Sequence, residues 1–278
     1  MNLLLHSMHE FRQLILTSLE MADARLVAEI GTEYGGMSSV LAEWLEPRAG
    51  KLCCIDPAPQ PSFLEWLPTA VNVTHIARPS LEVLSDGPDD PREIPCPDAW
   101  LVDGDHNWYT VFHELDHILR SFFAAGKHPL IFLHDVGWPC ARRDMYYAPD
   151  RIPAAFRKPY TYNAGTVPGQ SELRPNRGFR GGDSFAYANQ EGGPRNGVLT
   201  AVEDAIAAQR QAGRALAFAN IPAVLGLGVV FGTQAPWSAS LANYLHPYHQ
   251  NALIDTLEKN RLANYLRVIE MQDTLLPG

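Results

Sequence analysis

Long apolar runs are missing from this 278-residue chain. The longest, IPAVLGLGVVFG at 221–232, holds one proline and three glycines and is too short to span a bilayer. The first residues, MNLLLHSMHEFRQLIL, lack a basic start and their apolar run stops at Leu5, so no signal peptide is expected. Cysteine is scarce. Cys53, Cys54, Cys96 and Cys140 make no CxxC pair and no disulfide framework, which fits a reducing cytoplasm. Charged residues are only 19%, with no Lys/Arg-rich run. The net charge of −9 leaves no broad basic surface to displace the counterions of a nucleic acid. These absences point to a cytoplasmic protein and argue against nucleic acid and membrane as partners.

What is present is a globular composition, 46% hydrophobic, in a chain long enough for a substantial core. Residues 3–22 place Leu4, Leu5, Met8, Phe11, Leu14, Ile15 and Leu19 near helical spacing. Short apolar segments at 25–31, 51–57, 73–77, 98–105 and 129–135 then alternate with helical patterns at 37–46, from Ser80 and at 107–125. Strands that are apolar on both faces, separated by helices, predict an α/β fold with a Rossmann-like parallel sheet. A helix at 198–212, an antiparallel strand pair over 214–232 and a helical tail follow.

The expected organisation is an N-terminal helix (1–24), a core (25–136), a long insertion (137–197), the rest of the core (198–235) and a tail (236–278) suited to homo-oligomer contacts. The insertion holds seven Pro, nine Gly and nine aromatic residues, and its nine Lys or Arg outnumber its five Asp or Glu. A loop of this length reads as a lid or binding loop.

Two constellations carry chemistry. Between the first strand and its helix lies Glu29-Ile-Gly31-Thr-Glu33-Tyr-Gly35-Gly36, an ExGxxxG pattern rather than GxGxxG. Glycines there allow a tight turn and close approach of a ligand, and the helix N-terminus offers free N–H groups. Asp56 closes the second strand, where an acid can accept the hydroxyls of a ribose. The other constellation is Asp103-Gly104-Asp105-His106 at the end of the fourth strand, facing His134-Asp135 at the end of the fifth.

These stretches, VAEIGTEYGG, CIDP, LVDGDH and IFLHD, resemble the class I S-adenosylmethionine-dependent methyltransferases. Among them the chain is most similar to small-molecule O-methyltransferases of bacterial sugar and natural-product tailoring, several of which are metal-dependent. The resemblance covers roughly 25–135 and 214–232. It implies S-adenosylmethionine as cofactor, with Glu29, Gly31, Glu33, Gly35, Gly36 and Asp103 about its methionine part, Asp56 on the ribose and Ser80 near the adenine. It implies a divalent ion, magnesium or manganese, held by Asp103, His134 and Asp135, where relatives have acids or amides in place of His134. His106, with Asp105, is the expected catalytic base, since transfer to a hydroxyl requires that its proton leave. The alternative for the same residues is that Asp103 contacts the cofactor amino group while His134 and Asp135 orient the lid.

In the insertion Arg142 and Arg143 have the chemistry to clamp an anionic acceptor, and Trp138, Tyr146 and Tyr147 to stack on a ring. Pairing of the arginines with acids of the insertion itself is the other reading.

His113-Glu114-Leu115-Asp116-His117 matches HExxH, the zinc-peptidase signature. On a helix, however, Val111, Leu115, Ile118, Leu119 and Phe122 share one face within about 100°, and His113 and His117 lie nearly opposite. The expected function is methyl transfer to a hydroxyl of a sugar or natural-product intermediate, with a zinc metallohydrolase or a non-catalytic S-adenosylmethionine-binding protein as alternatives.

Overall fold

The computed structural model describes residues 7–85 and 95–275, so Leu4 and Leu5 lie outside it. In chain order, α1 (Arg12–Met21) leads to β1 (Leu26–Ile30), α2 (Gly36–Leu45), β2 (Lys51–Ile55), α3 (Pro61–Trp66), β3 (Val73–Ile76) and α4 (Ser80–Ser85). Next come β4 (Ala99–Val102), α5 (Trp108–Ala124) and β5 (Leu130–His134). The insertion adds β6 (Met145–Tyr146), β7 (Tyr160–Thr161), β8 (Ala164–Val167), β9 (Gln170–Pro175) and β10 (Ala186–Ala188). The chain returns through α6 (Val198–Gln211), β11 (Leu216–Ile221) and β12 (Leu227–Gly232), then α7 (Ser238–Leu245) and α8 (Ala252–Leu275).

The central sheet has seven strands in the order β11-β12-β5-β4-β1-β2-β3. The five strands β1 to β5 are parallel, and β12 runs antiparallel to both β5 and β11. This is the Rossmann-like α/β fold with a terminal antiparallel pair. The sequence of strands reverses between β1 and β4, and in such sheets the ligand crevice lies beyond the carboxyl ends at that point.

Strand parity divides the core. Val27, Leu101 and Phe132 join α1 and α2 on one face, while Ala28, Val102 and Ile131 join α5 and α6 on the other. The same parity places Glu29 and His134, the polar members of β1 and β5, on the α1 side.

The insertion is ordered into small sheets, β6-β10-β7 and β8-β9. Most of its strands span only two to four residues, too short for a period to emerge from the sequence. Helix α8 is tied to it: Arg180 donates to both oxygens of Asp273, at 2.9 and 2.5 Å. No helix among the described residues is long and apolar enough to cross a membrane.

Candidate active site

The glycine turn closes against the sheet itself. Gly31 has φ +82°, and a Cβ there would stand 2.1 Å from the backbone oxygen of Asp103. What presses on Gly31 is therefore the end of β4, where the sequence had suggested a ligand. Gly35 caps α2 at φ +80°, with the Phe63 ring 3.0 Å from where its Cβ would be. Gly36 opens α2, and a Cβ added to it would meet nothing closer than 4.0 Å.

Asp56 braces this turn. Its Oδ2 accepts from Thr32 N at 2.9 Å, Thr32 Oγ1 at 3.1 Å and Glu33 N at 3.3 Å. Among the described residues its Oδ1 accepts only from Ala58 N, at 2.8 Å, and so keeps acceptor capacity for a hydroxyl. Glu33 is exposed at the tip of the turn, with a left-handed backbone of φ 45°.

Glu29 is 3% exposed and accepts from Ser38 Oγ at 2.5 Å, with Cys54 Sγ at 3.6 Å. Burial pushes its carboxyl up to about 8 against the bonds from Ser38 and Cys54, which lower it. The residue expected beside the cofactor instead fastens α2 to β1 from within, because strand parity turns it under the helix.

At the ends of β4 and β5, ligand atoms of Asp103, His106 and Asp135 lie within 4.8 Å of one another. His106 Nδ1 is 3.3 Å from Asp135 Oδ2, and its Nε2 lies 3.4 Å from the Tyr147 hydroxyl. The sequence pointed to His134 as the nitrogen ligand; the structure converges on His106 and gives His134 another place. His134 is buried against the Phe11 ring, and its Nδ1 faces Asp135 Oδ2 at 3.1 Å and Asp103 Oδ1 at 3.3 Å. Burial lowers its pKa, but the two carboxylates outweigh that and hold the ring well above the ordinary histidine value. Asp135, at φ 59°, takes the left-handed conformation tolerated by Asp, which turns its carboxylate back toward His106.

Asp105, expected to work with His106 as base, is committed to the first turn of α5. It accepts from His106 N at 3.0 Å, Asn107 Nδ2 at 2.7 Å and Thr110 Oγ1 at 3.1 Å. Asn107, which caps α5, was not picked out from sequence; an Asn just before a helical pattern is the signal that could have found it.

The insertion residues separate into two groups. Arg142 forms a bidentate pair with Glu203 on α6, at 2.6 and 2.7 Å. Arg143 is buried and holds the carbonyls of Ala188 and Ser171. Tyr146 is buried, donating to Asp144 Oδ2 at 2.8 Å and accepting from Lys158 N at 3.0 Å. These three hold the insertion together and are not placed to clamp an acceptor. Tyr147 and Trp138 remain at the mouth. The Tyr147 ring lies tilted against His106 at 5.5 Å and meets Phe185 at 6.2 Å, and Trp138 meets Phe179 at 5.8 Å. Phe179 and Phe185 complete this aromatic wall at 6.2 Å, and sequence reasoning had not singled them out.

HExxH does not form a metal centre. His113 packs on Tyr109 and Phe112, partly buried on the outer side of α5, whereas Glu114 turns inward and is fully buried. Among the described residues, no group of metal-ligand spacing includes His113, Glu114 or His117.

A Rossmann-like sheet with an acid-braced glycine turn at its switch point, and an Asp–His–Asp group beside it, defines the class of protein as α/β. No protein-family description and no curated relative matches the sequence. Among solved structures the chain is similar to the S-adenosylhomocysteine-bound methyltransferase PaMTH1 of Podospora anserina. The TM-score is 0.46 and the identity 14%, over 79% of this chain and 76% of that one. It is also similar to the O-methyltransferase TomG of Streptomyces achromogenes, involved in tomaymycin synthesis and solved with S-adenosylmethionine. There the TM-score is 0.44 and the identity 18%, over 81% of this chain and 80% of that one. Both superpositions are loose, so what this chain does is read from its own residues.

Proposed function

We propose that the protein transfers the methyl group of S-adenosylmethionine to a hydroxyl of a small molecule, a sugar or natural-product intermediate. The observation that carries this is the juxtaposition, across β1 and β4, of the Asp56-braced turn with the Asp103–His106–Asp135 group. The turn and the α2 N-terminus suit the carboxylate and nucleoside ends of the cofactor. The adjoining group suits an acceptor oxygen that must lose a proton.

Two carboxylates and an imidazole within ligand distance fit a divalent ion of the manganese type. Such an ion, when bound, lowers the pKa of a coordinated hydroxyl. A second reading makes His106 the base, favoured by the Asp135 carboxylate that orients its Nδ1. In both, Tyr147 and Trp138 lay the acceptor ring against the mouth, and in-line placement of oxygen, methyl carbon and sulfur supplies much of the rate. Self-association is assigned to α8, where Leu253, Leu257, Val268 and Met271 stand exposed within about 60° around the axis.

Calorimetric titration of metal-stripped protein with S-adenosylhomocysteine, repeated with manganese, tests the reading. Saturable binding is expected, with added heat from the metal that is lost in His106→Ala. Absence of binding under every condition sinks the proposal. Binding indifferent to manganese leaves His106 as base.

A further inference from the structure

Within HExxH, Glu114 turns inward and accepts from Ser80 Oγ, at the start of α4, at 2.5 Å. His113 turns to the outer side of α5 instead, where α5, α6 and the insertion border a cavity of about 500 Å³. That is the size of a small-ligand site. Its apolar wall is a stack of rings. Trp108 lies within 12° of parallel to Phe112, with centroids 4.7 Å apart, and to Phe156, at 5.9 Å. The His113 ring meets Phe156 nearly edge-on at 6.4 Å. Ala207 and Ala208 of α6 are exposed along the cavity, and their methyl groups leave room beside the rings.

The positive charge here is Arg195, an exposed side chain whose guanidinium carbon stands 5.4 Å from the Trp108 centroid and 5.2 Å from that of Phe156. Both distances are within cation–π range. That contact uses the charge of Arg195 and none of its hydrogens, since no acceptor among the described residues meets its side-chain N–H groups. Acids nearby are committed elsewhere. Asp204 Oδ2 accepts from Trp108 Nε1 at 2.8 Å, and Glu203 pairs with Arg142.

The chain beside this arginine is tied down. Oδ1 of the buried Asp144 accepts from Trp108 N and from Gly197 N, each at 2.7 Å. The buried Asn196 accepts from Asp144 N at 2.8 Å and donates to the carbonyls of Gln190 and Gly192 at 3.0 and 2.9 Å. One carboxylate therefore anchors both the tryptophan and the loop that carries the cation. A cation set over its rings before a ligand arrives loses little freedom on binding.

We propose that this cavity binds a planar aromatic monocarboxylate, its carboxylate on the N–H groups of Arg195 and its ring against Phe112 and Phe156. A guanidinium matches a carboxylate bidentately, and a flat ring extends the stack. One negative charge is the limit, because a second would face Asp204. His113 adds an imidazole with no hydrogen bond among the described residues. Burial and the neighbouring His117 hold its pKa below the ordinary value, against Asp116. No residue of the Asp56-braced turn or of the Asp103–His106–Asp135 group borders the cavity, so its ligand is independent of the S-adenosylmethionine reading.

Calorimetric titration of the intact chain with 2-naphthoate tests this, alongside the neutral 2-naphthamide and the ringless acetate. Wild type is expected to bind 2-naphthoate saturably with a Kd below about 1 mM, and the amide about tenfold more weakly or worse. Acetate should give no saturable heat over the same range. Arg195→Gln removes the charge and Ala207→Phe fills the cavity, and each should weaken 2-naphthoate by about tenfold or more. Both positions are exposed, so neither substitution touches the core. Tyr147→Ala, at the mouth of the crevice, should leave the affinity within about twofold. An affinity that stays within about twofold in Arg195→Gln or in Ala207→Phe overturns the proposal, as does one lost in Tyr147→Ala. Wild type that binds the amide or acetate as tightly as 2-naphthoate overturns it too, and so does wild type that binds no 2-naphthoate.

Discussion

Gly31 and Asp103 touch backbone to backbone: a Cβ on the glycine would stand 2.1 Å from the carbonyl oxygen of the aspartate. The contact joins the turn and the polar group beside it, since Gly31 opens the turn after β1 and Asp103 opens the Asp–His–Asp group after β4. Gly31→Ala must move β4 or the turn, and it also forces an L side chain to φ +82°. A destabilisation above about 2 kcal/mol is expected, with loss of S-adenosylhomocysteine binding. Urea denaturation and calorimetry check both. Near-wild-type stability would mean that this approach is looser than described.

Asp56→Ala removes the acceptor of two backbone N–H groups on the turn and of a third at Ala58. Each lost bond is worth roughly 1 kcal/mol. Affinity for S-adenosylhomocysteine should fall by more than about tenfold, because the turn loosens and the hydroxyl acceptor disappears together. Unchanged affinity would remove Asp56 from the cofactor site.

Glu29 gives the protein a pH signature. Its folded-state pKa is about 8, against an ordinary value of 4.5, so between those values the folded state binds the proton that the unfolded chain has released. Stability therefore falls as pH rises through this window, by up to about 1.4 kcal/mol per unit for this group, and the full cost is present above it. Glu29→Gln keeps an acceptor for Ser38 and removes the titration. Its urea midpoint should change less than the wild-type midpoint from about pH 5 to about pH 8.5. Parallel pH profiles for the two proteins would contradict the assignment.

Arg143→Ala separates structural support from acceptor binding. The buried guanidinium holds two carbonyls of the insertion, so its loss should open 137–197 to limited proteolysis while leaving S-adenosylhomocysteine affinity within about twofold. A resistant insertion with a raised acceptor KM would restore Arg143 as a clamp.

Leu257→Asp together with Val268→Asp should shift the protein toward monomer by light scattering, with the far-ultraviolet dichroism unchanged. Both side chains are exposed on α8, so neither substitution disturbs the core. An assembly indifferent to both changes places the subunit contact elsewhere.

Local pattern carried the parallel sheet because β1, β2, β4 and β5 are mostly apolar. β1, β2 and β5 begin and end within a residue or two of where the apolar runs do. The ends of those strands were legible for the same reason: Gly31, Asp56 and Asp103 follow directly on apolar segments. Angular position alone put His113 and His117 of HExxH away from the sheet; the structure leaves both partly buried on the outer side of α5 and turns Glu114 inward.

By itself the sequence determined the Rossmann-like α/β order with its terminal antiparallel pair and a helical tail, since periodicity and glycine turns act over a few residues. Only the tertiary structure decided which imidazole joins the carboxylates. His106 and His134 are 28 positions apart, both adjacent to an acid, and alike in one dimension. Strand parity sends His134 beneath the sheet to Phe11, and the left-handed turn at Asp135 brings its carboxylate to His106. Tertiary structure also decided that Arg143 and Tyr146 are interior supports. Their partners Ala188, Ser171 and Lys158 lie 45, 28 and 12 residues away, and no local rule relates positions across that distance.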